Sequence, residues 1–294
     1  MNRLQHLFPA GRVIVADGGW GSELLRRGLV LGESADLWNL SHPDAVEAVA
    51  RSYVDAGAEV VLTNTFQANP IALGRLGKAT EAVAVNRRGT EISRRAAASA
   101  VDRVVRVFGS IGPIGAGRLA PDAFALQAGA LAEGGVDALL CETFSDLDEG
   151  RLAVAAARPT GLPIIVSFHF DDRTGEPLTF AGATPEEVAN ALRDAGADAV
   201  GANCGAGPER FPDLCRRLKA ASGLPVWIKP NAGLPTIEQG RAVYPLGPEA
   251  FAAFLPALIA AGADFVGGCC GAGPDFVRAL VAARDQTPYN APYL

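Results

Sequence analysis

Asp194-Ala195-Gly196-Ala197-Asp198-Ala199-Val200-Gly201-Ala202-Asn203-Cys204 reads as a helix end, a glycine turn and a buried strand in one continuous stretch. A glycine at this place lets the chain leave a helix through the left-handed C′ position, and the apolar run behind it suits a strand covered on both faces. The same pattern stands at Asp55-Ala56-Gly57-Ala58-Glu59, at Glu133-Gly134-Gly135-Val136-Asp137 and at Ala260-Ala261-Gly262-Ala263-Asp264. Seven residues after the turn glycines Gly57, Gly135, Gly196 and Gly262 come Asn64, Glu142, Asn203 and Cys269. The repeat therefore delivers a polar or thiol group to equivalent strand ends.

Working outward, eight short apolar runs rich in β-branched residues predict strands over 13–16, 59–63, 106–110, 137–141, 163–168, 198–202, 225–229 and 264–268. The four repeats precede the second, fourth, sixth and eighth of them. Helical spacing is clearest over 43–56, 86–100, 122–133, 185–195, 211–221 and 248–261, with a short helix near 23–27 and another over 148–157. Thr184-Pro185-Glu186-Glu187 has the form of a capping box with proline at the first helical position. Eight β–α units without a composition break predict an α/β fold, a (β/α)8 or TIM barrel, over residues 1–294 as one domain. The alternative is an open doubly wound sheet. No Gly-x-Gly-x-x-Gly follows the first strand, which weighs against its dinucleotide-binding version.

The chain has 294 residues, of which 49% are hydrophobic and 20% charged, with a net charge of −6. That composition fills a large core and argues against disorder. It offers no basic stripe for nucleic acid. No run approaches the roughly 20 apolar residues of a membrane span, and the first twelve residues do not read as a signal peptide. A cytoplasmic location is expected. Five cysteines in a chain this long suit reduced thiols or metal ligands better than a disulfide framework. No pattern fixes an oligomeric state, although the tail 289–294 and surface apolar residues offer a dimer contact.

In a barrel, chemistry sits at the C-terminal strand ends. Cys204 ends the sixth predicted strand, and Cys269 and Cys270 end the eighth. Alternate strands contribute to shared layers, so these thiols are placed to converge. Adjacent residues of a regular strand point to opposite faces. Cys269 and Cys270 can therefore serve one metal only if the backbone leaves strand geometry, which Gly267, Gly268 and Gly271 make cheap. Three thiolates suit Zn2+ and leave a fourth tetrahedral position for a substrate thiol. Taken singly, a cysteine at a strand end reads first as a small buried hydrophobe; three among glycines at convergent ends read as metal ligands. Cys141 and Cys215 read as core.

The motifs Asp17-Gly18-Gly19-Trp20-Gly21, Thr63-Asn64-Thr65-Phe66, Gly112-Pro113, Glu142-Thr143, Gly201-Ala202-Asn203-Cys204, Pro230-Asn231-Ala232-Gly233-Leu234-Pro235 and Gly267-Gly268-Cys269-Cys270-Gly271 run through nearly the whole chain. Together they resemble the homocysteine S-methyltransferase family. The resemblance implies a (β/α)8 barrel and an enzyme that methylates homocysteine to methionine, with Cys204, Cys269 and Cys270 as both zinc ligands and catalytic groups. It also implies that Asp17 and Glu142 hold the amino-acid end of homocysteine, with Gly18, Thr143 and Asn203 as further substrate contacts. Read without it, Asp17 is a turn residue and Glu142 a buried, hydrogen-bonded carboxylate.

The methyl donor is expected to be a sulfonium compound such as S-methylmethionine. A methylated corrinoid protein acting in trans is the alternative, because Pro230–Pro235 and the 63–66 segment resemble the homocysteine module of cobalamin-dependent methionine synthase. The barrel is expected to take up this chain, leaving no room for a cobalamin domain of its own. Relatives that use betaine carry tyrosines where this chain has Gln67 and Thr143, which removes an aromatic cage for a quaternary ammonium. Trp20, Phe66 and Phe144 are available to a sulfonium, or to the core. His169 reads as a proton-handling or a structural histidine. A different chemistry, a lyase or aldolase with Lys229 as Schiff base, is the rival reading of the same barrel.

Overall fold

The computed structural model describes residues 3–8, 11–115, 120–171, 175–238 and 241–287. The 289–294 tail, expected to offer a dimer contact, lies outside the described residues. Strands β1 (Ile14–Val15), β2 (Val60–Leu62), β3 (Arg106–Ile111), β4 (Ala138–Phe144), β5 (Ile164–Phe168), β6 (Ala199–Cys204) and β7 (Val226–Pro230) precede a small hairpin of β8 (Thr236–Glu238) and β9 (Arg241–Val243), and β10 (Phe265–Val266) completes the set. Eight of them form one parallel sheet in the order β1-β10-β7-β6-β5-β4-β3-β2. A parallel bridge between Ala16 and Val60 joins its two edges. The Glu59 N–H donates to Val15 O at 2.8 Å and the Asp17 N–H to Val60 O at 3.0 Å. The sheet is a closed (β/α)8 barrel, as expected, and not an open doubly wound sheet.

Alternation along the strands sorts the core into two shells. Ile14, Leu140 and Trp227 fill the barrel interior. Val15, Leu139 and Ile228 face the helices. Phe8 stands edge-on to Phe108 and Phe265, filling the space at the N-terminal end.

All four turn glycines of the repeat have positive φ, between 89° and 101°. The acid two residues after each glycine ties its strand to the one before. Glu59 accepts the Val15 N–H at 3.3 Å, Asp137 that of Val107 at 2.8 Å, Asp198 that of Ile164 at 2.9 Å and Asp264 that of Val226 at 2.8 Å. Each acid also has a cation: Arg284 at 2.5 Å for Glu59, Arg94 at 3.2 Å for Asp137, Arg3 at 2.7 Å for Asp198 and Lys219 at 3.0 Å for Asp264. The repeat seen in the sequence is thus a clasp at the N-terminal end of the barrel.

The expected helices form, with one of them broken and others added, among them the short Trp38–Ser41 and Pro70–Gly74. The predicted helix over 248–261 is two, Pro248–Ala252 and Leu255–Ala260. Pro256 lacks an N–H and its ring would strike the carbonyl of Ala252, so the first helix stops there. The helix Pro274–Gln286 and the hairpin were not expected. The capping box at Thr184 is formed, with the Glu187 side chain accepting from the Thr184 N–H. Among the described residues no helix is long and apolar enough to cross a membrane.

Candidate metal and substrate site

The three predicted thiols meet. Cys204 Sγ lies 3.2 Å from Cys269 Sγ and 3.9 Å from Cys270 Sγ, and all three are free. A tetrahedral ion with bonds of about 2.3 Å to sulfur would space its ligands at roughly 3.8 Å. The cluster fits such an ion and is too open for a disulfide, which needs about 2.05 Å. Among the described residues this is the one group of three or more Cys, His, Asp or Glu placed to share a metal. The sulfurs crowd one another. Hydrogen bonds to Cys269 and Cys270, with burial, push the Cys204 thiol well above the usual range. Hydrogen bonds from Cys204 and Cys269 hold Cys270 down as the thiolate. A cation is what would allow all three to ionise together.

The expected conflict over Cys269 and Cys270 is resolved because β10 ends at Val266, before either residue. Cys269 opens a tight turn, with its carbonyl accepting the Ala272 N–H at 3.1 Å. Gly271 takes the left-handed position of that turn, at φ 82°. The turn is held from β7: the Cys269 N–H donates to Pro230 O at 2.7 Å and the Cys270 N–H to Asn231 Oδ1 at 3.0 Å. Asn231 also donates to Gly205 O at 2.7 Å, tying in the Cys204 loop. The Asp-Gly-Gly motif is needed for close approach. A Cβ on Gly18 would stand 2.1 Å from Ala272 O, and one on Gly19 2.4 Å from Cys269 O.

The thiols open into a cavity of about 580 Å3 at the C-terminal strand ends. Gly18, Glu142, Thr143 and Lys229 line it with the cysteines, as do Trp20 and Phe66. Lys229 Nζ is 2.5 Å from Asp17 Oδ1. The other Asp17 oxygen accepts from Trp20 Nε1 at 2.7 Å and from the Leu62 N–H at 2.8 Å. Asp17 is 0% exposed and stands behind the cavity wall. Burial opposes the Lys229 charge, but the Asp17 and Glu142 carboxylates outweigh it and hold the ammonium above its ordinary value. Burial pushes Glu142 up to about 7, against the pull of Lys229 and of Ser110, whose hydroxyl donates to Glu142 at 2.5 Å.

Asn203 is 1% exposed and also lies behind the wall, bonded to Thr143 and Ser167. Phe144 packs outward into the helix shell, away from the cavity. Cys141 and Cys215 are buried core residues, as read. Sequence reading assigned no role to Ser110, Asn231 or Asp36. Ser110 and Asn231 stand at strand ends, where polarity was a usable signal. Asp36 lines the cavity from a loop, with its carboxyl pushed up to about 6 by burial.

A family model described as homocysteine S-methyltransferase matches residues 14–284. The methionine synthase of Mycobacterium leprae (strain TN) is 35% identical over 295 residues, 93% of this chain and 24% of that protein. The methionine synthase of Mycobacterium tuberculosis (strain ATCC 25618 / H37Rv) is 35% identical over 294 residues, with 92% and 24% covered. The chain spans about a quarter of the length of these relatives. Among solved structures, the metallated form of the homocysteine methyltransferase MmuM from Escherichia coli superposes with a TM-score of 0.79 at 26% identity, covering 96% of this chain and 99% of that one. Its oxidized form gives 0.76 at 25% identity, covering 92% and 95%. With the matched model spanning β1 to the last helix, this chain belongs to the homocysteine S-methyltransferase family.

Proposed function

We propose that the protein methylates homocysteine to methionine, with Cys204, Cys269 and Cys270 holding Zn2+. The convergence of three free thiols on one cavity carries this reading. Sulfur donors with a fourth position left open match a catalytic zinc site. When bound, zinc would favour the thiolate form of the substrate sulfur at neutral pH.

The remaining groups orient the substrate. Its ammonium faces Glu142 and its carboxylate faces Lys229, charge against charge. Gly18 and Thr143 border the same space. Asp17 and Asn203 act from behind the wall, through Lys229 and Thr143. In the transfer, a bond forms between the homocysteine sulfur and the methyl carbon. The donor's bond to that methyl breaks, and its electron pair stays with the donor.

A sulfonium such as S-methylmethionine is the donor this cavity favours. Trp20 and Phe66 present aromatic surface to the cavity, and Asp36 adds a carboxyl, a lining that suits a cation. The likeness to methionine synthases favours a second reading of the donor, a methylated corrinoid brought by another protein. The Schiff-base alternative fits poorly, because that chemistry needs a neutral amine and Lys229 is held as an ammonium.

The test is methionine formation from homocysteine by zinc-loaded protein with S-methylmethionine, S-adenosylmethionine, betaine or methylcobalamin. Turnover with the first, lost in Cys204→Ser, is expected. Turnover that survives Cys204→Ser would refute the thiol site. Inactivity with every free donor, despite bound zinc and homocysteine, would refute the sulfonium reading and favour the corrinoid protein.

A further inference from the structure

β4 breaks the alternation that the rest of the strand keeps. Leu139 and Cys141 face the helices, and Leu140 faces the barrel interior. Regular geometry would then send Glu142 inward and Thr143 outward. Both line the cavity instead, and Phe144 takes the outward place. The pairing with β5 shifts between Cys141 and Phe144, so one extra residue has been inserted as a bulge. Thr143 has φ 64° there, and Cys204 has φ 63°. They are the two non-glycine residues with positive φ among the described residues. For a β-branched residue this conformation is a costly outlier that its surroundings must impose.

Asn203 is the side chain that grips Thr143. Its Oδ1 accepts the Thr143 N–H at 3.0 Å and the Ser167 hydroxyl at 2.6 Å. Its Nδ2 donates to Thr143 Oγ1 at 2.7 Å and faces Cys269 Sγ at 4.0 Å. Main chain and side chain of Thr143 are thus held together by one amide, which alone offers an acceptor and two donors at this size. The same amide stands beside a thiol of the cluster.

We propose that Asn203 is a positioning residue that couples the two halves of the site. It fixes the β4 bulge that turns Glu142 and Thr143 to the substrate, and it orients Cys269. The proposal rests on the function given above for the site, but its first readout does not.

The experiment compares the wild type with Asn203→Ala and Asn203→Ala/Thr143→Gly. It measures amide hydrogen exchange at Thr143 in metal-free protein, zinc affinity by chelator competition, and homocysteine binding to the zinc-loaded protein. In Asn203→Ala the Thr143 amide is expected to lose at least about tenfold protection, and zinc affinity to fall ~10-fold or more. Homocysteine binding should weaken as well. Glycine accepts positive φ without penalty, so the double variant should regain homocysteine affinity while zinc affinity stays low.

Unchanged exchange together with unchanged zinc affinity would overturn the proposal. So would weakened homocysteine binding with normal exchange and no rescue, which would make Asn203 a direct substrate contact. If Asn203→Ala does not fold, the double variant is expected to fold, and failure of both would overturn a role centred on Thr143. If the wild type itself bound neither zinc nor homocysteine, the function of the site would fall, while Thr143 exchange would still decide whether the brace exists.

Discussion

The two ends of the barrel are built from one repeat and have opposite electrostatic characters. At the N-terminal end the repeat supplies Glu59, Asp137, Asp198 and Asp264, each with a backbone N–H and a cation. At the C-terminal end it supplies Asn64, Glu142, Asn203 and Cys269, and there balance is incomplete. Glu142 is pushed up to about 7 by burial, three thiols crowd within 4.8 Å, and two non-glycine residues take positive φ. The satisfied end holds the barrel shut. The unsatisfied end is where a cation and a zwitterion would gain most.

Mutations should separate the two ends. The largest effect is expected at the thiols. Cys269→Ser combined with Cys270→Ser should reduce bound zinc from about one per chain to near zero, with little change in metal-free denaturation, read by metal analysis and urea unfolding. Glu59→Ala should do the reverse. It leaves the Val15 N–H without its acceptor and takes one of two carboxylates from the 15% exposed Arg284, which keeps Asp285, whereas Arg12 at 38% exposed is easily rehydrated. A loss of about 2 kcal/mol of unfolding free energy is expected, with zinc affinity kept.

A pH effect should belong to the C-terminal end. Folding raises Glu142 from an ordinary 4.5 to about 7, so the folded protein holds an extra proton between those values. Metal-free stability should therefore fall as pH rises through that window, and Glu142→Gln should flatten the slope. A sulfur-free analogue, L-2-aminobutyrate, should bind more weakly below about pH 7 by up to tenfold per unit, with no such trend in Glu142→Gln. Calorimetry would read both. The smallest effect lies on an outer helix. Thr184→Ala removes the capping-box acceptor of the helix Pro185–Ala195, and should cost about 1 kcal/mol without altering zinc or substrate binding.

The satisfied end was the more legible one in the sequence. Strand starts, turn glycines and the capping box follow from local periodicity, and the parallel barrel follows from their order. Convergence of Cys204 with Cys269 was also readable, because alternate strands share a layer. What escaped depends on departures from period two. Thr143 was expected at the site through the family resemblance alone: alternation predicts it outward, yet the bulge turns it inward, and no local signal marks a threonine for positive φ. The pairing of Asp17 with Lys229, 212 positions away, also escaped, because it exists only in three dimensions. The break at Pro256 was missed in the predicted 248–261 helix, although proline forbids the helical bond and marks the place.

The central claim is that Cys204, Cys269 and Cys270 hold a metal with a place for the substrate thiol. X-ray absorption at the zinc edge, on zinc-loaded protein with and without homocysteine, tests it most directly. About three sulfur ligands at roughly 2.3 Å alone, rising to about four with homocysteine, is the predicted result. A sulfur count that does not change on adding homocysteine, or a zinc bound chiefly by nitrogen and oxygen, would contradict it.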